Sequence, residues 1–320
     1  MKIGFKLPNC AGVLCEPEWA TPQNLVRLSQ LAQRLGYDSL WMHDHLIAPD
    51  EVKIDEPNFH EPLISISHLA ALVPDITFGI ATIILPLRDP VLFARQLVTM
   101  HAFFPGRFIA GIGVGRYESE FRASGSPTFH RRGRMTTEAL ELIRGLWEQP
   151  ELDFDGEFYT LQDARFYPKP AAHGVIPIWI GGNSEAAVRR AAALGDGYVP
   201  AAKLPDEIRA DRALLVEALQ QQGRDPQGFP IGLSLTVELV HDQTPKAEDL
   251  EARGLHGHAH DRVVQGKPDR VAERLLELAD AGVDHFLLSF RASALEELEE
   301  HLEWFARHVR PQLEVAHAYS

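Results

Sequence analysis

Four short polar clusters, each closing an apolar run, hold the residue types that could do chemistry: His43, Asp44 and His45; Thr82 and Ile83; Gly113, Val114, Gly115 and Arg116; and Gly181, Gly182, Asn183 and Ser184. An imidazole titrates near neutrality, so a histidine held by a neighbouring carboxylate can lend or take a proton at cellular pH. His43 and His45 are two residues apart and would point the same way from a strand, as paired metal ligands do. A metal site also needs ligands from later strands, and those runs end instead in Gly-Gly-Asn, in Pro200-Ala201-Ala202 and in Phe290-Arg291-Ala292. Acid–base work by one imidazole is therefore the better-supported reading, set against histidines that only hydrogen-bond the rim of a fold. The Gly-Gly-Asn turn, followed by a serine suited to cap a helix, offers backbone N–H groups and a positive helix end to a phosphate.

The stretch Phe108 to Gly115, FIAGIGVG, imitates a nucleotide-binding loop and fails the comparison. A dinucleotide fingerprint is GxGxxG directly after the first strand, with an acidic residue about 20 positions later. Here the glycines fall at 111, 113 and 115, Arg116 stands where a last glycine belongs, and three strand-like runs precede the loop. It reads instead as one more strand ending in permissive glycines.

Elements that could position these clusters follow from periodicity. Short apolar runs alternate with segments of helical period throughout the chain. Strands are predicted over 2–7, 39–42, 77–85, 107–112, 177–180, 197–199, 231–240 and 285–290, with helices between them. Leu25, Leu28, Leu31, Ala32 and Leu35 make one helix face that Gly36 can close, and Pro90 suits a first helical turn. The segment 151–170 carries an Asp-Gly turn between aromatic runs and reads as a hairpin inserted into the frame. The fold class is α/β, a (β/α)8 TIM barrel over 1–320 without a domain boundary; a doubly wound open sheet is the alternative. In a barrel the chemistry sits at the C-terminal strand ends, where all four clusters fall.

Composition narrows the ligand. With 45 acidic against 31 basic residues, a net charge of -14, the chain has no footprint for nucleic acid or an anionic membrane surface, which leaves a small molecule. Cys10 and Cys15 are too few for a disulfide framework, no run approaches the ~18 apolar residues of a spanning helix, and a cytoplasmic location is expected. His256, His258 and His260 lack surrounding carboxylates and read as a solvated loop.

The segments DSLWMHDHL (38–46), ATIILPLRDPVLFARQL (81–97), GRFIAGIGVGRYESEF (106–121), FYPKP (166–170), PIWIGGNSEAAVRRAAALGDGY (177–198) and AGVDHFLLSF (281–290) resemble the bacterial luciferase-like flavin monooxygenase superfamily. Within it they are most similar to probable coenzyme F420-dependent oxidoreductases. The resemblance implies a barrel that holds a deazaflavin over its strand ends, with FMN as the alternative cofactor. It places Asp44 and His45 beside the ring, His45 as proton donor or acceptor and Asp44 orienting it. A non-prolyl cis peptide at Thr82 and Ile83 is implied behind the ring. Gly113, Val114, Gly115 and Arg116 would pass ring and side chain, Gly181, Gly182 and Asn183 would meet the phosphate, and Ala201 completes the cofactor set. Arg116, with Arg131, Arg132 and Arg134, is expected to face an acidic cofactor tail. Sugar-phosphate dehydrogenases of this superfamily carry a glutamate where this chain has Arg116, so that reaction is not implied. The activity expected is hydride transfer between coenzyme F420 and a small organic substrate; the alternatives are an FMN-dependent monooxygenase and a barrel that binds a flavin or small ligand without turnover. A homodimer is expected through the helices after strands two and three.

Overall fold

The structure, a computed structural model, describes residues 1–9, 17–51, 59–170, 176–240 and 262–318. Strand β1 (Lys2–Lys6) leads to helix α1 (Pro22–Arg34), whose buried stripe Leu25, Leu28, Leu31 and Ala32 packs on the sheet. Thr21 starts α1 by accepting the Asn24 amide, and Gly36 turns the chain away at φ +79°, a conformation costly for other residues. Then come β2 (Ser39–Met42), α2 (Pro62–Leu72), β3 (Thr77–Ile84), α3 (Pro90–Phe103) and β4 (Phe108–Gly113). Asp89 caps α3 by accepting the Leu92 amide at 2.7 Å, and Pro90 occupies the first turn.

A short helix, α4 (Glu118–Ala123), follows β4 and has no counterpart in the pattern reading; α5 (Arg132–Glu148) follows it. The inserted segment is an antiparallel hairpin of β5 (Leu152–Asp155) and β6 (Thr160–Ala164), separate from the main sheet. The barrel resumes with β7 (Ile178–Gly181), α6 (Glu185–Leu194), β8 (Gly197–Val199), α7 (Pro205–Gln221) and β9 (Gly232–Leu239). It finishes with β10 (Val263–Gly266), α8 (Pro268–Asp280), β11 (His285–Phe290), α9 (Leu295–Trp304), a wider helical turn Phe305–Val309, and α10 (Arg310–Ala318).

All main-sheet pairings are parallel, in the order β10-β9-β11-β1-β2-β3-β4-β7-β8. Parallel bridges from Tyr198 to Ile231 and from Ala201 to Ser234 join β8 to β9 and close the sheet, so β1, β2, β3, β4, β7, β8, β9 and β11 form a (β/α)8 barrel. The extra strand β10, unforeseen in the pattern, pairs beside the upper half of β9.

Two indoles fill the barrel interior below the strand ends. Trp41 is fully buried and Trp179 nearly so, with ring centroids 5.7 Å apart. They fit because neighbouring strands lack side chains: a Cβ on Gly4 or Gly79 would strike Trp41, and one on Gly197 or Gly232 would strike Trp179, all at 2.6 Å or less. His285 meets both rings edge-on, and its Nε2 lies 2.7 Å from Ser39 Oγ, which also accepts the Trp41 indole N–H at 2.7 Å. Burial, reinforced by the charges of Lys2 and the N-terminus, lowers the His285 pKa to about 3, so this interior carries a neutral imidazole.

Candidate active site

Above the indoles, at the C-terminal strand ends, lies a cavity of about 520 Å³, within the size range of small-molecule sites. Asp44, His45, Thr82, Gly113, Val114, Gly115, Arg116, Gly181, Gly182, Asn183 and Ala201 all line it, so the barrel gathers eleven of the twelve positions picked from sequence. Ile83 is the exception. It is fully buried in the hydrophobic core, and its neighbour Ile84 reaches the cavity instead, because a bulge between Ile80 and Ile83 shifts the alternation along β3. The cis peptide lies in that bulge, at Ala81–Thr82, one bond before the expected Thr82–Ile83.

The glycines play a different part from the one their positions first imply. A Cβ on Gly113 would stand 2.2 Å from Thr82 Oγ1, and one on Gly181 2.4 Å from Thr82 Cγ2. Their missing side chains therefore make room for Thr82. Gly115 and Gly182 are needed for backbone reasons, at φ +82° and +130°.

Asp44 does not hold His45. Its carboxylate is buried and accepts Arg88 NH2 at 2.7 Å and the Ile84 amide at 2.9 Å, tying β2 to the end of β3. Arg88 bridges on to Glu61 at 2.9 Å. The carboxylate that meets His45 is Glu120, on the unforeseen helix α4: its Oε2 lies 3.1 Å from His45 Nδ1, and its Oε1 accepts the Leu46 amide at 2.8 Å. Glu120 is fully buried, while about a fifth of the His45 side chain, which lines the cavity, is exposed. The imidazole sits between Phe59 and Tyr117, with centroids 5.2 and 6.1 Å away. A carboxylate that already accepts an amide also accepts from Nδ1–H, which leaves Nε2 as the basic nitrogen of His45.

His43 also lines the cavity, with a different environment. Asn9 pins its backbone in both directions, by bonds of 2.8 and 2.9 Å. Burial, then the charges of Lys6 and His45, push its pKa well below the ordinary value, so His43 is neutral at neutral pH. Among the described residues no three His, Cys, Asp or Glu side chains converge on one point as metal ligands would.

The Gly181-Gly182-Asn183 turn stands at the N-terminus of α6, capped by Ser184 Oγ on the Ala187 amide. Asn183 locks it to the next strand end by a reciprocal pair of bonds with Ala201, 2.8 and 2.9 Å. From behind, the Tyr198 hydroxyl lies 2.8 Å from Gly182 O and 2.9 Å from Asp211, which also binds Lys203. Burial and the Asp211 charge raise the Tyr198 pKa, so this buttress stays protonated.

The basic run after β4 has protein partners. Arg131 and Arg134 both pair with Glu157 of the hairpin, at 3.2 and 3.1 Å, and Arg132 donates to Gly115 O at 3.0 Å, bracing the glycine turn. Of the expected arginines only Arg116 lines the cavity, over the Tyr117 ring at 5.4 Å. Cys10, Cys15, His256, His258 and His260 lie outside the described residues.

Lys6, Ser234 and Ser289 line the cavity as well, and Glu120, Arg88 and Asn9 set it up; sequence reasoning passed over all six. Lys6 carried a usable signal, since a charged residue inside an apolar barrel strand must meet something in the interior. Glu120 carried none beyond its place in the GRYESEF segment.

The sequence profile of the luciferase-like monooxygenase family matches residues 1–252. F420-dependent glucose-6-phosphate dehydrogenase of Nocardia farcinica is 28% identical over 98% of both chains, and that of Mycobacterium avium 26% over 98% of both. Among solved structures, an F420-dependent secondary alcohol dehydrogenase in complex with an F420-acetone adduct superposes with a TM-score of 0.80 at 18% identity, covering 98% of each chain. EDTA monooxygenase from Chelativorans sp. BNC1 does so with 0.77 at 18%, over 99% of this chain and 94% of its own. At these identities the structures speak for the fold, and the profile, spanning well over half of the chain, speaks for descent: the protein belongs to the luciferase-like monooxygenase family.

Proposed function

We propose that this protein is an oxidoreductase that moves a hydride between coenzyme F420 and a small organic substrate. The observation that carries the reading is the His45–Glu120 pair at 3.1 Å, with His45 lining a cavity that a phosphate-suited turn also lines. The curated relatives named for an F420-dependent dehydrogenase add support along nearly the whole chain.

The residues present fit such a group. Phe5, Leu7, Ile84, Val199 and Phe290 give the cavity apolar walls that exclude water. The Gly182-Asn183 turn before α6 supplies backbone N–H groups, and the amino end of α6 a partial positive charge, for a phosphate. When bound, the deazaflavin supplies the hydride chemistry. The protein contributes placement and the accompanying proton. Glu120 keeps the His45 Nδ1 proton in place and orients the ring, and Nε2 takes or returns the proton of the reacting oxygen. Asp44, spent on Arg88 and Ile84, fixes the strand ends on which His45 stands. Arg116 is the cation available to an acidic cofactor tail at the cavity rim.

The protein acts as a homodimer in this reading. Apolar side chains on α2 and α3 lie open: Ile64 is 73% exposed, Leu92 57% and Phe103 83%. A second copy of the chain would cover them. Spectroscopic titration of the purified protein with coenzyme F420 and separately with FMN tests the cofactor. Saturable F420 binding with hydride exchange supports the proposal; binding of FMN alone would replace it with a monooxygenase, and binding without turnover across a substrate panel with a non-catalytic barrel.

A further inference from the structure

Gly182 has no side chain with which to anchor itself, and its φ of +130° lies outside the conformations that hold an ordinary residue in place. What fixes it comes from the core. Tyr198, at the centre of β8, is fully buried and takes no part in lining the cavity, and its hydroxyl meets Gly182 O at 2.8 Å. The Gly182–Asn183 peptide bond is trans, so its C=O and N–H groups point in opposite directions. A carbonyl tied to the core side therefore sets the Asn183 N–H on the other side, where Gly182 and Asn183 line the cavity. Among the described residues that N–H meets no protein acceptor, although the Asn183 side chain is tied to Ala201.

The hydroxyl has one proton and two acceptors, Gly182 O and, at 2.9 Å, Asp211 Oδ2 on α7. A carboxylate left alone would claim that proton more strongly than a neutral carbonyl. Here the same Asp211 oxygen binds the Lys203 ammonium, and both side chains are buried. The ion pair satisfies Asp211 and shifts the shared phenol proton toward Gly182 O. Lys203 and Ala201 belong to one connection, between β8 and α7, so this loop braces the turn through its backbone and through the ion pair.

We propose that Tyr198 is a positioning residue for the cofactor phosphate: its hydroxyl, backed by the Asp211–Lys203 pair, turns the Gly182–Asn183 peptide so that the Asn183 N–H donates to a phosphate oxygen. The inference rests on the reading of this turn as the phosphate site of a bound deazaflavin, and assigns the orientation of its donor to a side chain that never touches the ligand. Tyr198 accordingly governs how much the phosphate adds to binding, and leaves recognition of the ring system to the rest of the cavity.

The test compares two pairs of compounds that differ only in a terminal phosphate: the deazaflavin riboside with and without it, and FMN with riboflavin. Dissociation constants come from fluorescence titration of wild type and Tyr198→Phe, which keeps the ring and loses only the hydroxyl. Wild type should bind the phosphorylated deazaflavin more tightly than the phosphate-free one. Tyr198→Phe should weaken the phosphorylated compound about three- to tenfold, the range for one hydrogen bond, and leave the phosphate-free one unchanged. Equal weakening of both would mark general damage to the barrel and overturn the proposal. So would an unchanged affinity for the phosphorylated compound, or a wild type indifferent to the phosphate. A phosphate-dependent loss confined to the flavin pair, with no deazaflavin bound, would sink the F420 reading and leave the role of Tyr198 standing. Binding of none of the four compounds would overturn both. Should Tyr198→Phe fail to fold, wild-type amide NMR decides: the Asn183 proton should move downfield with the phosphorylated compound and not with its partner, and a stationary resonance refutes the orientation.

Discussion

Replacing Glu120 by glutamine should disable proton transfer at His45 while leaving the cavity intact. The side chain is fully buried and makes two contacts, Oε2 to His45 Nδ1 at 3.1 Å and Oε1 to the Leu46 amide at 2.8 Å. A glutamine keeps the Leu46 bond through its carbonyl oxygen, which turns its amide N–H group toward Nδ1. The imidazole must then accept at Nδ1 and carry its proton on Nε2, the tautomer opposite to the one needed. Loss of an orienting partner typically costs 10- to 100-fold, about 1.4 to 2.7 kcal/mol of transition-state stabilisation, and removal of the imidazole itself ~10² to 10⁴. Glu120→Gln should therefore lower kcat by about one to two orders of magnitude, His45→Ala by more, and the double variant by no more than His45→Ala. Turnover would be followed by deazaflavin absorbance with the best substrate from a panel of small organic alcohols. Nitrogen NMR of the His45 ring gives a readout independent of activity, with the proton on Nδ1 in the wild type and on Nε2 in the variant. Unchanged turnover in Glu120→Gln, or effects of the two substitutions that multiply, would show that the pair does not work as a unit.

Other changes should separate structural from chemical roles. Gly182→Val puts a branched side chain at φ +130° and 3.1 Å from Ala187 Cβ, so F420 affinity should fall about tenfold while turnover of the bound form is kept; an unaltered titration curve would detach the turn from the cofactor. Arg88→Met strands the buried Asp44 carboxylate and should cost about 3 kcal/mol in urea unfolding, far more than a surface pair would. His285 has a folded pKa of about 3 against 6.5 when unfolded, so below pH 6.5 the unfolded chain takes up a proton that the native barrel refuses, and stability falls as pH drops. The loss is about 1.4 kcal/mol per pH unit, at most about 5 across the window, with His43 adding in the same direction; His285→Gln should flatten the slope by close to one proton, and an unchanged slope would place the titration elsewhere. Light scattering should return twice the 35.7 kDa chain mass for the wild type and the monomer mass for Phe103→Glu with Leu92→Glu; a monomeric wild type refutes the dimer.

The barrel and the outline of the cavity were legible in the residue order, because a parallel (β/α)8 fold ties helix period, strand period and strand-end chemistry to positions along the chain. Gly36, Pro90 and Ser184 start or stop helices through contacts with residues a few positions away, and local rules read them correctly. For the same reason His45, Gly115, Gly182 and Asn183 could be placed at strand ends before any coordinates, and all four line one cavity. What the sequence could not disclose is which side chain meets which across the barrel. Asp44 adjoins His45 along the chain, yet beyond the end of β2 its carboxylate turned to Arg88, and the carboxylate at His45 came from Glu120, 75 residues away. The bulge in β3 moved Ile83 into the core by changing the alternation at one point. Gly4, Gly79, Gly197 and Gly232 acquired a purpose only when closure brought Trp41 and Trp179 against them, and Lys6 became a cavity residue only when Ser234 was carried beside it from 228 positions downstream. Local conformation is decided by neighbours in sequence. The partners of a buried charge are decided by barrel closure, which no local window contains.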